Sequence, residues 1–318
     1  FLTNETIFDL RERPDHLIVV GGGPIGVEMA QAHRRLGSRV TVLEMLKLLG
    51  RDDPEAAEVV RRRLLAEGVG IREGIAIREV GGHDGAISVT IEFEQGGSEK
   101  ISGSHLLIAA GRHANVEGLG LEEAGIEHTA KGISVDARLR TTNKRVFAIG
   151  DVAGGYQFTH VAGYHGGIVL RNALFHLPAR ANHDAIPWVT YTDPELAHVG
   201  LTDLQAKEKS GRDISVLRWS FAENDRAQAE RATDGFAKVV TDRKGRIVGA
   251  TIVGPRAGEL ILPWVAAVSD RQRVGPMAGI IAPYPTLSEV SKRAAGSYFA
   301  PKLFSPRMKK IVRFLQRF

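Results

Sequence analysis

Leu17-Ile-Val-Val20 is an unbroken apolar run that stops at a cluster of glycines, Gly21, Gly22, Gly23 and Gly26. Beyond it Ala30, Gln31, Ala32 and Leu36 continue a helical pattern to Gly37, and Arg39-Val-Thr-Val-Leu43 reads as a second strand. A short buried run, a tight turn, a helix and a second buried run make a strand-helix-strand unit. Asp53-Pro54-Glu55 then opens another helix, with Asp as N-cap, Pro at the first helical position and an acid in the first turn. Its apolar face is Ala56, Val59, Val60 and Leu64, and Gly68 closes it before a short strand near Val69-Gly70-Ile71.

The period changes over residues 75–102. Ile87, Val89, Ile91 and Phe93 alternate with Ser88, Thr90 and Glu92, the pattern of a half-buried strand. Gly81-Gly82, Gly85 and Gly96-Gly97 punctuate hairpins around it. This antiparallel insert leads back to an apolar strand, His105 to Ala110, that ends in Gly111-Arg112. Past His113 the pattern predicts a turn or short helix over Leu119 to Ala124, a strand at Ile133 and Val135, and a turn at Thr141-Thr142. A strand over Arg145 to Ile149 runs into Gly150-Asp151, and a helix rich in Gly and Ala follows from about His160 to Leu177.

A boundary falls between Pro178 and Pro187. Beyond it come a strand at Val189-Thr-Tyr, a helix over Leu201 to Lys209 with Thr202 as its cap, and a hairpin of Phe236–Val240 with Ile247–Val253. A helix over Glu259 to Asp270 is interrupted early by Pro263. In the last stretch Met308, Ile311, Val312 and Leu315 share one helix face, with Lys309, Lys310, Arg313 and Arg317 around it. Two readings stand for it: a helix docked on the body, or one that touches an anionic membrane surface. The chain thus divides into a linker over 1–13 and segments at 14–112, 113–184, 185–300 and 301–318.

Composition narrows the function classes. The chain has 318 residues, enough for two or three domains, and its apolar and charged fractions of 43% and 25% are those of a globular protein. A net charge of +5, much of it in the tail, is no nucleic-acid footprint. No apolar run reaches membrane-spanning length and no secretory signal opens the sequence, which predicts the cytoplasm, although Phe1 is not an initiator Met. There is no cysteine, so these residues carry no disulfide, thiolate nucleophile or cysteine metal site. The histidines, among them His33, His83, His105, His165, His183 and His198, show no metal-ligand spacing and none is assigned to a metal.

The glycine cluster carries the first chemistry. Gly21, Gly23 and Gly26 occupy the glycine places of G-x-G-x-x-G between a strand and a helix. Those places serve a tight turn, close approach of a pyrophosphate, and close packing of helix on strand. The amides and dipole of the helix start favour phosphate charge. Glu44, at the end of the second strand, stands where an acid accepts the ribose hydroxyls, and its charge repels a 2′-phosphate; the reading is NAD(H) over NADP(H).

Four ordered stretches resemble a known family. They are the glycine turn with Glu28 and Glu44; Ala109-Ala-Gly-Arg-His-Ala-Asn115, similar to A-T-G-R-x-P-N; Thr142 through Ala148-Ile-Gly-Asp151; and Pro285-Thr-Leu-Ser-Glu289. The chain resembles the C-terminal two-thirds of the FAD/NAD-dependent pyridine nucleotide-disulfide oxidoreductases, which include dihydrolipoamide dehydrogenase, glutathione reductase and mercuric reductase. The resemblance implies an α/β fold: a Rossmann-like NAD-binding domain at 14–112, the second half of an FAD domain at 113–184, and an α+β dimerisation domain at 185–300.

It also implies roles. Gly111 belongs to the cofactor-binding set. Asp151 suits the ribitol of FAD, or caps the next turn. Thr159, His160 and Val161 open a helix whose amides face the flavin C2 carbonyl, with His160 positional rather than a proton carrier. Glu28 lies near the nicotinamide–flavin contact, or is an ordinary first-turn acid. Glu289 stands where an acid orients a catalytic base, but Tyr284 replaces the His before Pro285, and a tyrosine with an ordinary pKa of about 10 is no base near neutral pH.

Other departures bear on function. Ala114 replaces the usual Pro. Pro283-Tyr284 is closer to the mercuric-reductase-like branch, yet that branch's C-terminal cysteine pair is absent, which speaks against mercury reduction. The family's N-terminal FAD half, with its redox cysteine pair, has no counterpart here. The expectation is NADH-to-FAD hydride transfer in a homodimer whose FAD site is incomplete in these residues. A non-catalytic NAD-binding and dimerising fragment, or a subunit completed by a separate N-terminal half, stands beside it.

Overall fold

A computed structural model describes residues 1–83, 86–211 and 213–317; Gly85, read as a hairpin glycine, lies outside them. The chain forms two compact units, 1–110 with 187–318, and 111–186.

In the first unit the apolar run from Leu17 is β1 (His16–Val20). Leu17 and Val19 enter one core and Ile18 another, so the strand is buried on both faces, as a central parallel strand is. The glycines lead into α1 (Pro24–Arg35), then β2 (Arg39–Glu44), α2 (Pro54–Ala66) and β3 (Gly70–Glu73). An antiparallel sheet of β4 (Ile75–His83), β5 (Ala86–Phe93) and β6 (Ser98–Gly103) intervenes before β7 (His105–Ile108). The parallel sheet runs β3-β2-β1-β7. Ile75, Val89, Ile91 and Ile101 of the antiparallel sheet pack on Ile18, Leu43 and Leu106, which is the destination of the alternation in β5. Within residues 1–13, Ile7 is buried and Leu2 donates its N–H to Leu106 O at 2.6 Å. An apolar residue at the sheet edge supplied a backbone partner that polarity alone did not reveal.

The second unit, 111–186, holds the short pair β8 (His128–Thr129) and β9 (Gly132–Ile133) and one long helix, α3 (Thr159–Ala173). Two apolar clusters fill it, one around Leu121, Ile126, Ile133 and Ala148 and one around Leu139, Ile168 and Ala179. The predicted strand over 145–149 is reduced to one bridge, Phe147 with Arg140, beside which Thr141 N donates to Val146 O and Ala148 N to Leu139 O at 3.0 and 3.2 Å. Val146 N is taken by Asn143 O at 2.9 Å, so a tight turn uses the start of the segment that a longer strand would need. α3 also ends before Leu174, Phe175 and Leu177, which are exposed.

From residue 187 the chain rejoins the first unit. β10 (Pro187–Thr190), β11 (Glu195–Gly200), α4 (Asp203–Ser210), β12 (Ile214–Ser220), α5 (Asp225–Glu230), β13 (Phe236–Asp242) and β14 (Ile247–Gly254) follow. The sheet is antiparallel, in the order β10-β11-β14-β13-β12. Thr202 caps α4 in a capping box with Gln205. The predicted helix over 259–270 is two, α6 (Ala257–Leu260) and α7 (Leu262–Ser269), with Pro263 in the first turn of the second. Next come α8 (Val274–Gly279), α9 (Glu289–Ser297), α10 (Ala300–Leu303) and α11 (Pro306–Leu315). No helix among the described residues is long and apolar enough to cross a membrane.

The two sheets of the first unit share one core: Leu196, Phe236 and Val253 pack with Leu17, Val27, Ala56 and Val60. A buried ion pair fixes this seam. Asp53 caps α2 by accepting from the amides of Glu55 and Ala56 at 3.0 and 3.2 Å. Its two oxygens also take Lys238 Nζ of β13 at 3.0 and 2.8 Å, and Glu55 takes it at 2.8 Å. Burial alone would lower the Lys238 pKa, but these carboxylates outweigh it and raise it. Beside them Trp188 Nε1 donates to Asp52 at 2.7 Å. Burial, opposed by Trp188 and helped by Asp53, pushes the Asp52 carboxyl up to about 6.

Replacing Lys238 by Met strands the Asp53 charge and is expected to cost about 3–5 kcal/mol in urea unfolding, with partial recovery in the double variant Asp53→Asn, Lys238→Met. A single-variant loss below about 1 kcal/mol would contradict the clamp. Asp52 has the opposite sign. Its folded-state pKa lies above its ordinary 3.8, so folding takes up a proton and stability falls as pH rises from 3.8 to about 6. Asp52→Asn keeps an acceptor for Trp188 and should raise stability by about 2–3 kcal/mol above that window, the gain vanishing near the lower bound. A gain that grows toward acid would overturn the assignment.

Candidate functional site

The glycine turn joins β1 to α1. Gly21, at φ +110°, donates its N–H to Leu43 O at 2.9 Å and so ties the turn to β2. A Cβ on Gly21 would lie 2.4 Å from Ala109 O, and one on Gly26 would lie 1.9 Å from Gly21 O. Both places are filled by backbone, so a side chain at either would push strand and helix apart. Gly23 is different: a Cβ there would meet nothing within 4 Å. It is the N-cap of α1, no side chain caps that end, and Pro24 takes the first position. The first-turn amides have no intrahelical acceptor and sit beside open space, at the positive end of a twelve-residue helix. That cradle fits a pyrophosphate.

Glu44 ends β2 beside this turn. Its Oε2 accepts from Gly22 N at 2.6 Å and its Oε1 from Leu46 N at 2.9 Å. A carboxylate offers about four acceptor sites, so two backbone bonds orient it and still leave room for ribose hydroxyls. Glu28, one turn into α1, accepts from Tyr191 N at 2.8 Å; burial raises its pKa and this bond opposes the rise. Gln31 exchanges two bonds with the backbone of Asp193, and Arg35 bridges Glu67 and the Asp193 carboxylate at 2.6 and 2.7 Å. The face of α1 that carries Glu28 therefore holds the segment that enters β11. Sequence reasoning gave Asp193 no role; the partners lie some 160 residues away and no local signal marks them.

The second unit carries Gly111, Asp151, Thr159, His160 and Val161. Gly111 has φ +116° and open space where a Cβ would be. Asp151 sits on a short 3₁₀ turn, Gly150–Ala153, with its carboxylate half-exposed and 3.5 Å from the Arg112 guanidinium. Arg112 is itself held by Gln157 O at 2.6 Å. Gly150 N donates to His165 Nδ1 at 3.2 Å, which makes Nε2 the protonated nitrogen of that neutral ring, facing His183 Nε2 at 2.9 Å. Burial and then the second imidazole hold the His165 pKa below the usual value. This pair, which steadies the turn before Asp151, was missed because metal spacing was the only histidine pattern sought. Thr159 and His160 are exposed and Val161 is buried at the start of α3. Further along, Gly163, Gly166 and Gly167 leave the helix without side chains where nothing else approaches.

Tyr284 and Glu289 belong to the first unit, near α5. Tyr284 is 71% exposed and its hydroxyl donates to Asp225 Oδ2 at 2.8 Å. The bond to Asp225, with Glu289 as a lesser influence, raises the phenol pKa, so Tyr284 stays protonated and donates. Asn224 Nδ2 holds the motif through Thr286 O at 3.1 Å. A cleft of 380 Å³ adjoins it, lined by Pro285, Thr286, Arg226, Glu230, Arg256 and Glu259. Asp225 was not foreseen, because nothing near it in sequence points to residue 284.

The family model described as pyridine nucleotide-disulphide oxidoreductase matches residues 1–166, and that of the family's dimerisation domain matches 186–295. A mercuric reductase of Bacillus cereus is 37% identical over 298 residues, 92% of this chain and 47% of the relative. A dihydrolipoyl dehydrogenase of Geobacillus stearothermophilus is 36% identical over 291 residues, 90% of this chain and 61% of the relative. The crystal structure of LpdA from Mycobacterium tuberculosis superposes with a TM-score of 0.86 at 31% identity, over 93% of this chain and 64% of that one. The chain thus spans between about half and two thirds of the length of these relatives.

The glycines separate by test. Gly26→Ala should lower unfolding stability by about 1–3 kcal/mol through overpacking, whereas Gly23→Ala should stay within about 1 kcal/mol of the parent. Equal losses in denaturant melts would mean that the open cradle at Gly23 is not there.

Proposed function

Because the chain belongs to the pyridine nucleotide-disulphide oxidoreductases, we propose that it binds NAD(H) at the Gly21–Gly26 turn and serves NADH-to-FAD hydride transfer. The observation that carries the reading is the turn itself. Two glycines are closed off by backbone, the middle one is open at a helix start, and an oriented carboxylate, Glu44, stands beside it. When bound, the nicotinamide and flavin supply the donor and acceptor of the hydride.

The residues of the chain bind and orient. The first-turn amides of α1 take the pyrophosphate, and Glu44 accepts the ribose hydroxyls while repelling a 2′-phosphate. In the second unit Asp151 accepts from a ribityl hydroxyl, with Arg112 beside it. The start of α3 at Thr159, His160 and Val161 would face a carbonyl at the flavin edge with the positive end of the helix and stabilise negative charge there, the Val161 N–H itself being taken by Phe158 O at 3.0 Å. The side-chain-free face at Gly163, Gly166 and Gly167 allows a planar ring to approach. Tyr284, held protonated by Asp225, acts as a hydrogen-bond donor rather than a base. Residues 186–295 form a homodimer contact.

These 318 residues contain no cysteine, so a dithiol step is carried by groups outside them. The same fact favours the second reading, an NAD-binding and dimerising element that a separate FAD and disulfide half completes. A diaphorase assay with that half supplied tests the completion: turnover on mixing supports a chain that serves hydride transfer once completed, and NADH binding without turnover supports a non-catalytic NAD-binding and dimerising fragment.

Calorimetry should find NADH binding with NADPH at least about 10-fold weaker, and Glu44→Ala should narrow that gap while weakening NADH about 10-fold. NADPH binding equal to NADH in the parent protein would contradict the assignment. The purified chain should also hold less than stoichiometric flavin, which its visible absorbance reports.

A further inference from the structure

The charge of this protein is unevenly placed. Residues 290–318 contain eight Lys and Arg and no Asp or Glu, leaving 34 basic against 37 acidic side chains in the rest of the chain. The basic stretch ends in α10 and α11, and neither helix buries a residue. Ser305 caps α11 by accepting from Met308 N at 3.2 Å, so the last helix is locally well started although none of its residues is buried.

Its faces are sorted. Met308, Ile311, Val312 and Leu315 fall within one side at helical spacing, and Lys309, Lys310, Arg313 and Arg317 fall opposite. Ile311 and Leu315 are 42% and 61% exposed, and Phe304, between the two helices, is 74% exposed. We propose that α10 and α11 lie on an anionic phospholipid surface, with the apolar side in the acyl boundary and the basic side among lipid phosphates.

Charge complementarity selects this occupant. A second copy offers this basic helix, outside residues 290–318, 37 acidic against 34 basic side chains, an excess of only three negative charges. An anionic bilayer offers apolar depth and negative charge at once, the two things this helix presents on opposite sides. A helix of ten residues has little apolar area, so attachment is reversible and depends on lipid charge and on ionic strength.

Vesicle flotation of the full chain tests this, with phosphatidylcholine alone compared with phosphatidylcholine containing about a third phosphatidylglycerol at low salt. The protein should float only with the anionic vesicles and be released by high salt. Lys309→Glu, Lys310→Glu and Arg313→Glu together should weaken capture about 100-fold. Ile311→Ser with Leu315→Ser should weaken it at unchanged charge. Unchanged melting curves show that both variants remain folded. No capture, equal capture by both vesicle types, or capture indifferent to either variant would overturn the proposal. So would sedimentation equilibrium in which Leu315→Ser dissolves a dimer of a protein that vesicles never capture.

Discussion

The Cβ that Gly26 lacks would sit 1.9 Å from the Gly21 carbonyl oxygen, and that missing atom sets how closely α1 lies on β1. The rest of the nucleotide end follows from the approach. Gly21 can turn at positive φ and hand its N–H to β2, which places the end of that strand, and Glu44, beside the turn. Glu44 in return holds Gly22 N. Helix start, strand end and acid are therefore one rigid corner rather than a flexible glycine loop. Preorganisation of this kind lowers the ordering cost of binding an extended, charged ligand.

The corner is also coupled to the antiparallel sheet. α1 carries Glu28, Gln31 and Arg35, whose bonds hold residues 191–193, while α2 is held at its N-terminus by Asp53 and Lys238. Two helices of the parallel sheet thus each make a polar contact to the second sheet, around a shared apolar core. The energetics differ between the two. The Lys238 pair is buried, and its main effect is to penalise any arrangement that separates the partners. The Arg35 bridges are exposed to solvent and contribute less.

What the sequence revealed was whatever is local in physics. Strand β1, the turn, the Asp53 and Thr202 caps and the alternation of β5 each depend on a few adjacent residues, and each was legible. The strand over 145–149 was over-read, because a tight turn takes Val146 N to Asn143 O and leaves a single bridge from Phe147 to Arg140. The break of the helix near Pro263 was legible in kind but not in register. Asp53 was read as a cap and is also half of a buried ion pair; Tyr284 was read as a replaced base and is a donor to Asp225. In both cases the second partner is far away in sequence, and no spacing rule connects them. The His165–His183 pair behind Gly150 belongs to the same class.

The proposed nucleotide-phosphate site is the set of amides at the start of α1. Amide hydrogen exchange read by mass spectrometry tests it directly on the peptide that spans Gly21 to Glu28, with and without NADH. Exchange in that peptide should slow on adding NADH, with the peptides of α4 and α11 unchanged. Exchange in the Gly21–Glu28 peptide that stays the same at saturating NADH would contradict it.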